Sequence, residues 1–75
     1  MLLSSDTKKR VERHIAALAD PNHEISYAAQ QRLIRFGQKA VVALIAATGS
    51  ANPQVRFRAV WAKSAIRAAM TPLWN

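Results

Sequence analysis

Shifted by thirty residues, the chain matches itself: residues 9–36 align without gaps on residues 39–66. Lys9/Lys39, Val11/Val41, Ile15/Ile45, Ala16/Ala46, Ala17/Ala47, Asn22/Asn52 and Ala29/Ala59 are identical pairs. Ile25/Val55, Tyr27/Phe57 and Phe36/Ile66 are conservative ones. Chance can place alanines, but it rarely aligns caps, turns and large apolar residues together. A unit of this length is one supersecondary element that cannot bury its apolar side alone. Two copies are therefore expected to stack.

The length of 75 residues sets one domain, 1–75, made of repeat one (5–36), repeat two (38–70) and a tail (71–75). A chain this short buries only a little over ~60% of the surface its unfolded form exposes, so its core is marginal. There is no cysteine, which removes disulfides and thiolate metal sites. Eleven Lys and Arg against four Asp and Glu give +7. Such an excess repels itself and attracts anionic partners. The basic residues run from Lys8 to Arg67, not in one tail, so no disordered basic arm is implied. "MLLSSDTKKR" has too short an apolar run for a signal peptide, and its charges follow that run. No stretch approaches the ~20 apolar residues of a membrane helix. A soluble, cytoplasmic protein with no membrane partner is expected.

Each copy divides into two helices. In the first, Ser5 or Asp6 caps a helix to about Ala19, with Val11, His14, Ile15 and Leu18 on one face at helical spacing. "ADPN" is a turn, and Asn22 caps a second helix. Ile25, Ala28, Ala29, Leu33 and Phe36 share a face of that helix, and Gly37 supplies the left-handed residue that ends it. In the second copy, Gln38 to Thr48 is helical with Val41, Leu44 and Ile45 inward, and Gly49 ends it. The stretch "NPQVRFRAVWAK" at 52–63 alternates like a strand in Val55, Phe57 and Ala59. Val60, Trp61 and Ala62 break that alternation. Asn52 is a cap, Pro53 fits the first helical position where its missing N–H costs nothing, and Val55, Ala59, Ala62 and Ile66 form a helical face. The chain is thus predicted to be all-α, with four helices in two stacked hairpins. The last helix is long, from Pro53 to about Met70, some ~27 Å at 1.5 Å per residue.

Two helices per thirty residues, with "DPNHEISYAAQQRLIRFG" across the first turn and second helix, resembles a HEAT repeat. It is most similar to the short bacterial type called phycobilisome-lyase HEAT-like (armadillo-type) repeats. Asp20-Pro21, Glu24-Ile25, Ala28-Ala29, Leu33 and Phe36-Gly37 carry the likeness in the first copy. Asn52-Pro53, Val55-Arg56, Ala59, Ala62 and Ile66 carry it in the second. The resemblance covers about residues 9–67 and implies an α-solenoid. It says little of function, since such repeats serve as scaffolds, as subunits of chromophore lyases and, in one glycosylase family, as DNA-gripping superhelices. It also implies that Asp20 in the turn pairs with Arg56 between copies. The second copy departs from the pattern at Lys63-Ser64 and in "RAAMTPLWN". Its last helix is then a cap, a dimer contact or the end of a truncated reading frame.

Arg56, Lys63 and Arg67 lie within about 40° of one another at 100° per residue. Such a stripe is an ordinary solvated face before it is a track for phosphates. Arg32 and Arg35, on the second helix of the first copy, would extend it. Phe57, Val60, Trp61, Met70 and Trp74 are large apolar residues beyond the Val55–Ile66 face. Either the tail folds back over them or they form a self-association surface. With two repeats, where about three are normally needed for stability, self-association is the preferred reading. Stacking of these rings on bases is a weaker alternative, because nothing spaces them as a platform. His14 occupies the slot of Leu44 and reads as a half-buried structural histidine rather than a metal ligand. His23 lies on another helix. Glu12 and Glu24 are isolated. No nucleophile–base pair, Gly-rich phosphate loop or paired carboxylate appears, so no catalysis, cofactor or metal is expected.

The expected function is a non-enzymatic interaction or scaffolding module that self-associates as a homodimer or higher oligomer. Its second helices would line a concave side, where Arg32, Arg35, Arg56, Lys63 and Arg67 meet a protein partner with an acidic surface. The alternative is non-specific nucleic-acid binding to the phosphate backbone through the same basic face. A further alternative, the non-catalytic part of a phycobilin lyase-type complex, follows from the resemblance alone.

Overall fold

The structure, a computed structural model, describes residues 5–70, and of Met70 the backbone only. Four helices follow one another: α1 (Ser5–Ala17), α2 (His23–Phe36), α3 (Gln38–Ala47) and α4 (Pro53–Met70). No strand occurs among the described residues, and the fold is all-α. α1 packs chiefly on α2 and α3 on α4; the two hairpins then meet through α2 against α4 and α1 against α3.

Local chemistry sets the helix boundaries, twice over. Asn22 sits at φ −78°, ψ 112°, outside the helix, and its Oδ1 accepts the Glu24 N–H at 2.9 Å. Thirty residues on, Asn52 Oδ1 accepts the N–H of Gln54 at 2.9 Å and of Val55 at 3.4 Å. These bonds satisfy donors that a helix start leaves free. The residue two before each cap braces it: Asp20 Oδ1 accepts the Asn22 N–H at 2.8 Å, and Ser50 Oγ accepts the Asn52 N–H at 3.1 Å. Pro53 opens α4 as expected. α1 ends at Ala17, two residues before the expected limit, and α3 ends at Ala47 with Thr48 as its cap. Gly37 alone joins α2 to α3. Its φ is positive at 61°, but ψ is −133°. The chain therefore turns sharply from one helix into the next, where a left-handed helical residue had been expected.

The core holds Val11, Leu18, Leu33, Leu44, Val55 and Ile66, with Ala29, Ala40, Ala47, Ala59 and Ala62 letting the backbones approach. The two repeats, however, bury different flanks. The first repeat buries Val11 and Leu18 of α1, with Ile15 partly covered, and Ser26, Gln30 and Leu33 of α2. The second buries Ala40, Leu44 and Ala47 of α3, and Val55, Ala62 and Ile66 of α4. These are not equivalent positions under the thirty-residue shift; only Ala29 and Ala59 are buried in both. The physical reason is coverage. The first repeat is covered on its forward flank by the second, and the second on its backward flank by the first.

This coverage overturns three expectations about single residues. Ile45, expected inward, is 54% exposed, because it lies on the forward flank of the second repeat. Ile25, expected in the core, is 47% exposed, because it lies on the backward flank of the first. Ala28 is exposed too. The buried polar residues of α2 face the junction. Ser26 Oγ donates to the His23 carbonyl at 3.2 Å, and Gln30 Oε1 accepts from Arg58 Nη1 at 2.9 Å.

The expected pair between Asp20 and Arg56 is not formed. The Asp20 carboxylate is engaged by Asn22. Arg56 Nη1 donates to the carbonyls of Ser50 (2.9 Å) and Ala51 (3.3 Å) in its own turn. The connection between turns is made instead by Gln54, whose Nε2 donates to the Leu18 carbonyl at 2.8 Å and the Asp20 carbonyl at 2.7 Å. A shorter side chain, two residues nearer the cap, reaches the neighbouring turn directly.

Candidate functional site

Three surfaces carry the residues singled out in the sequence, and they are distinct. The first is a groove of about 590 Å³ between α2 and α4, lined among others by Tyr27, Gln31, Ile34, Phe57, Arg58 and Trp61. Its rings are open to solvent: Tyr27 is 54%, Phe57 63% and Trp61 57% exposed. Phe57 and Trp61 meet edge-on with centroids 6.2 Å apart. The Arg58 guanidinium lies 5.9 Å from the centre of the Tyr27 ring while it holds Gln30. It is the one charged residue lining the groove; Nη1 and one face are engaged, while its buried Nε has no hydrogen-bond partner. Val60 is 47% exposed but lies outside the groove lining. Met70, as a side chain, and Trp74 lie outside the described residues.

The second surface is the backward flank of the first repeat. Arg10, Arg13 and His14 of α1 and Arg32, Arg35 and Phe36 of α2 line an open cleft of about 420 Å³. The His14 and Phe36 rings are 6.0 Å apart at its floor. Burial first, then the charges of Arg32 and Arg13, hold the His14 imidazole below its ordinary pKa. Asp6 pairs with Arg10 at 3.3 Å, both side chains being exposed.

The third surface is the forward flank of the second repeat, where Val41 of α3 adjoins Lys63, Ile66 and Arg67 of α4. Arg56 stands on the same stripe of α4, as the spacing predicts, and is exposed. The five cations thus do not form one face. Arg32 and Arg35 join α1, while Lys63 and Arg67 border α3.

The sequence reading missed Arg10 and Arg13, which fold beside Arg32 and Arg35, and it missed Tyr27 as a partner of Phe57. The second signal was present: Tyr27 and Phe57 are equivalent under the thirty-residue shift. Among the described residues, no three His, Asp or Glu side chains gather as they would around a metal ion. No helix there is long and apolar enough to cross a membrane.

Fold and surfaces together define a class: a small all-α protein of two packed helical hairpins, with one aromatic groove and two basic flanks. The chain matches no protein-family model, and no curated protein or solved structure matches it either.

Proposed function

We propose that this chain is a non-enzymatic, HEAT-like helical-repeat module that binds protein, and that it associates with itself through the α2–α4 groove. The observation that carries this reading is the set of open rings, Tyr27, Phe57 and Trp61, side by side in one groove. Aromatic anchors in a concave apolar patch supply most of the energy of protein interfaces. Charge supports the choice of groove for self-contact. Two copies at +7 repel each other, and the groove brings only one cation, Arg58, of each copy close. The flanks would bring several cations together.

Sedimentation velocity over a range of concentrations tests this. The expected result is a dimer that persists or strengthens as salt rises, because screening weakens repulsion and leaves apolar contact intact. Trp61→Ser and Phe57→Ser should each yield monomers of unchanged helicity, since both side chains are exposed. A wild-type chain that stays monomeric throughout refutes the reading.

A second reading, phosphate-backbone binding to nucleic acid, is favoured by one observation: Arg10, Arg13, Arg32 and Arg35 share a single cleft. Its affinity for duplex DNA would fall steeply between two salt concentrations. An absence of binding at low salt removes it.

A further inference from the structure

On the second repeat, no described residue covers the flank that in the first repeat seats a helical hairpin. On the first repeat this flank is Val11, Ile15, Leu18, Ser26, Gln30 and Leu33, and α3 and α4 cover it. The equivalent residues of the second are Val41, Ile45, Thr48, Arg56, Val60 and Lys63. Ile45 and Val60 are 54% and 47% exposed there. Val41, Ile45 and Val60 keep apolar side chains on this edge, and the cations Arg56 and Lys63 replace Ser26 and Leu33, which are fully buried in the first repeat. Neutral carbonyls alone position the Arg56 guanidinium, so its charge is left for a partner. Lys63 has no acid partner among the described residues.

We propose that this edge, formed by Val41, Ile45 and Val60 with the cations Arg56 and Lys63 among them, docks a helical hairpin of a different protein, apolar against the three aliphatic side chains and acidic opposite the two cations. The first repeat supplies the precedent for the shape, because the same backbone surface already holds α3 and α4. Charge selects the occupant. A second copy cannot add head-to-tail, because its backward flank carries Arg10, Arg13, Arg32 and Arg35. Those residues stand where the docking hairpin α3–α4 has Ala40 for Arg10, Leu44 for His14 and Ala62 for Arg32. Nor does the edge suit itself across a two-fold axis, which would bring its own cations face to face. A partner with carboxylates opposite Arg56 and Lys63 meets both demands.

The full chain can be turned into its own probe. In a Trp61→Ser background, which removes the groove contact, Arg10→Ala, His14→Leu and Arg32→Ala give the backward flank the residues of the docking hairpin. Arg13→Glu and Arg35→Glu then add acids beside them. The five-fold variant should form head-to-tail chains in sedimentation velocity that lengthen with concentration and shorten with salt. The triple variant should assemble more weakly and the Trp61→Ser parent not at all. Adding Ile45→Lys, at an exposed position, should weaken assembly at least about tenfold, the loss of one buried aliphatic side chain. If the triple variant loses helicity, Arg13→Glu with Arg35→Glu alone, both exposed, should pair with the Trp61→Ser parent in the same salt-sensitive way. Three results would each overturn the proposal: variants that sediment like the parent, assembly indifferent to Ile45→Lys, or no gain from the added glutamates.

Discussion

Replacing Gln54 with Ala removes the side chain that, among the described residues, joins the start of α4 to the turn between α1 and α2. Its Nε2 donates to the carbonyls of Leu18 and Asp20, at 2.8 and 2.7 Å. Two neutral hydrogen bonds at ~0.5–1.5 kcal/mol net each give a loss of about 1–3 kcal/mol. The bonds are only part-buried, so water can reach the freed carbonyls, which favours the lower half of that range. Against a total stability of roughly 4–11 kcal/mol for a domain of this size, the loss is large. It should lower Tm by about 4–8 °C per kcal/mol. Arg56→Ala should cost no more than about 0.5 kcal/mol, as is usual for a surface position, because it touches only two exposed carbonyls of its own turn. A double-mutant cycle of Asp20→Ala and Arg56→Ala should return coupling within about 0.3–0.5 kcal/mol of zero. Urea unfolding followed by circular dichroism measures all of these. The junction described here is wrong if Gln54→Ala and Arg56→Ala cost the same, or if Asp20 and Arg56 couple strongly.

Two further outcomes follow from single residues. A Cβ at Gly37 would meet nothing within 4 Å, so Gly37→Ala should act through the positive φ of 61° alone. The expected cost is ~1–3 kcal/mol of backbone strain, read by urea unfolding; a neutral substitution would contradict the one-residue turn. The pKa of His14 is lowered from 6.5 on folding, so the unfolded chain takes up the proton first as pH falls. The stability linked to this group is complete above that value and is lost as pH drops through the folded pKa. Thermal melts of His14→Leu should show a shallower acid-side decline than wild type, and an unchanged decline would mean that the cleft does not disfavour the imidazolium.

Element type and order were readable from the sequence because their causes are local. Asn22, Gly37 and the Asn52-Pro53 pair each act within a few residues, and α2, α3 and α4 begin at them. Burial was readable only where it does not depend on the neighbour. Ala29 and Ala59 are buried alike, whereas Ile25 and Val55 share a slot and differ, at 47% and 7% exposed. A single repeat carries apolar residues on both flanks, and nothing within it says which flank will be covered. Comparing equivalent positions supplies that information, since Arg10, His14 and Arg32 stand where Ala40, Leu44 and Ala62 are buried. Lys63 and Arg67 of the cationic stripe border α3. Arg32 and Arg35 line a cleft with α1 instead, because the helical wheel fixes spacing along a helix and not which neighbour it faces.

The same comparison separates two kinds of exposed apolar residue. Ile25, Ile45 and Val60 lie on the outward flanks of the two repeats, which no described residue covers, and their equivalents Val55, Ile15 and Gln30 are buried or half-buried. Position explains them without any selection for exposure. The ends also differ: Arg10 and Arg32 stand where the second repeat buries alanines, whereas Ile45 and Val60 keep apolar side chains among the cations Arg56 and Lys63. Tyr27 and Phe57 are another matter. They are equivalent, they are both aromatic, and both are more than half exposed, at 54% and 63%. No end effect produces that, because one belongs to each repeat and both open onto the groove that α2 and α4 share. A large ring held in solvent at the same place twice costs solubility both times. A partner that covers the rings removes that cost in both repeats at once, and for this reason the groove, more than either flank, is where binding is to be sought first.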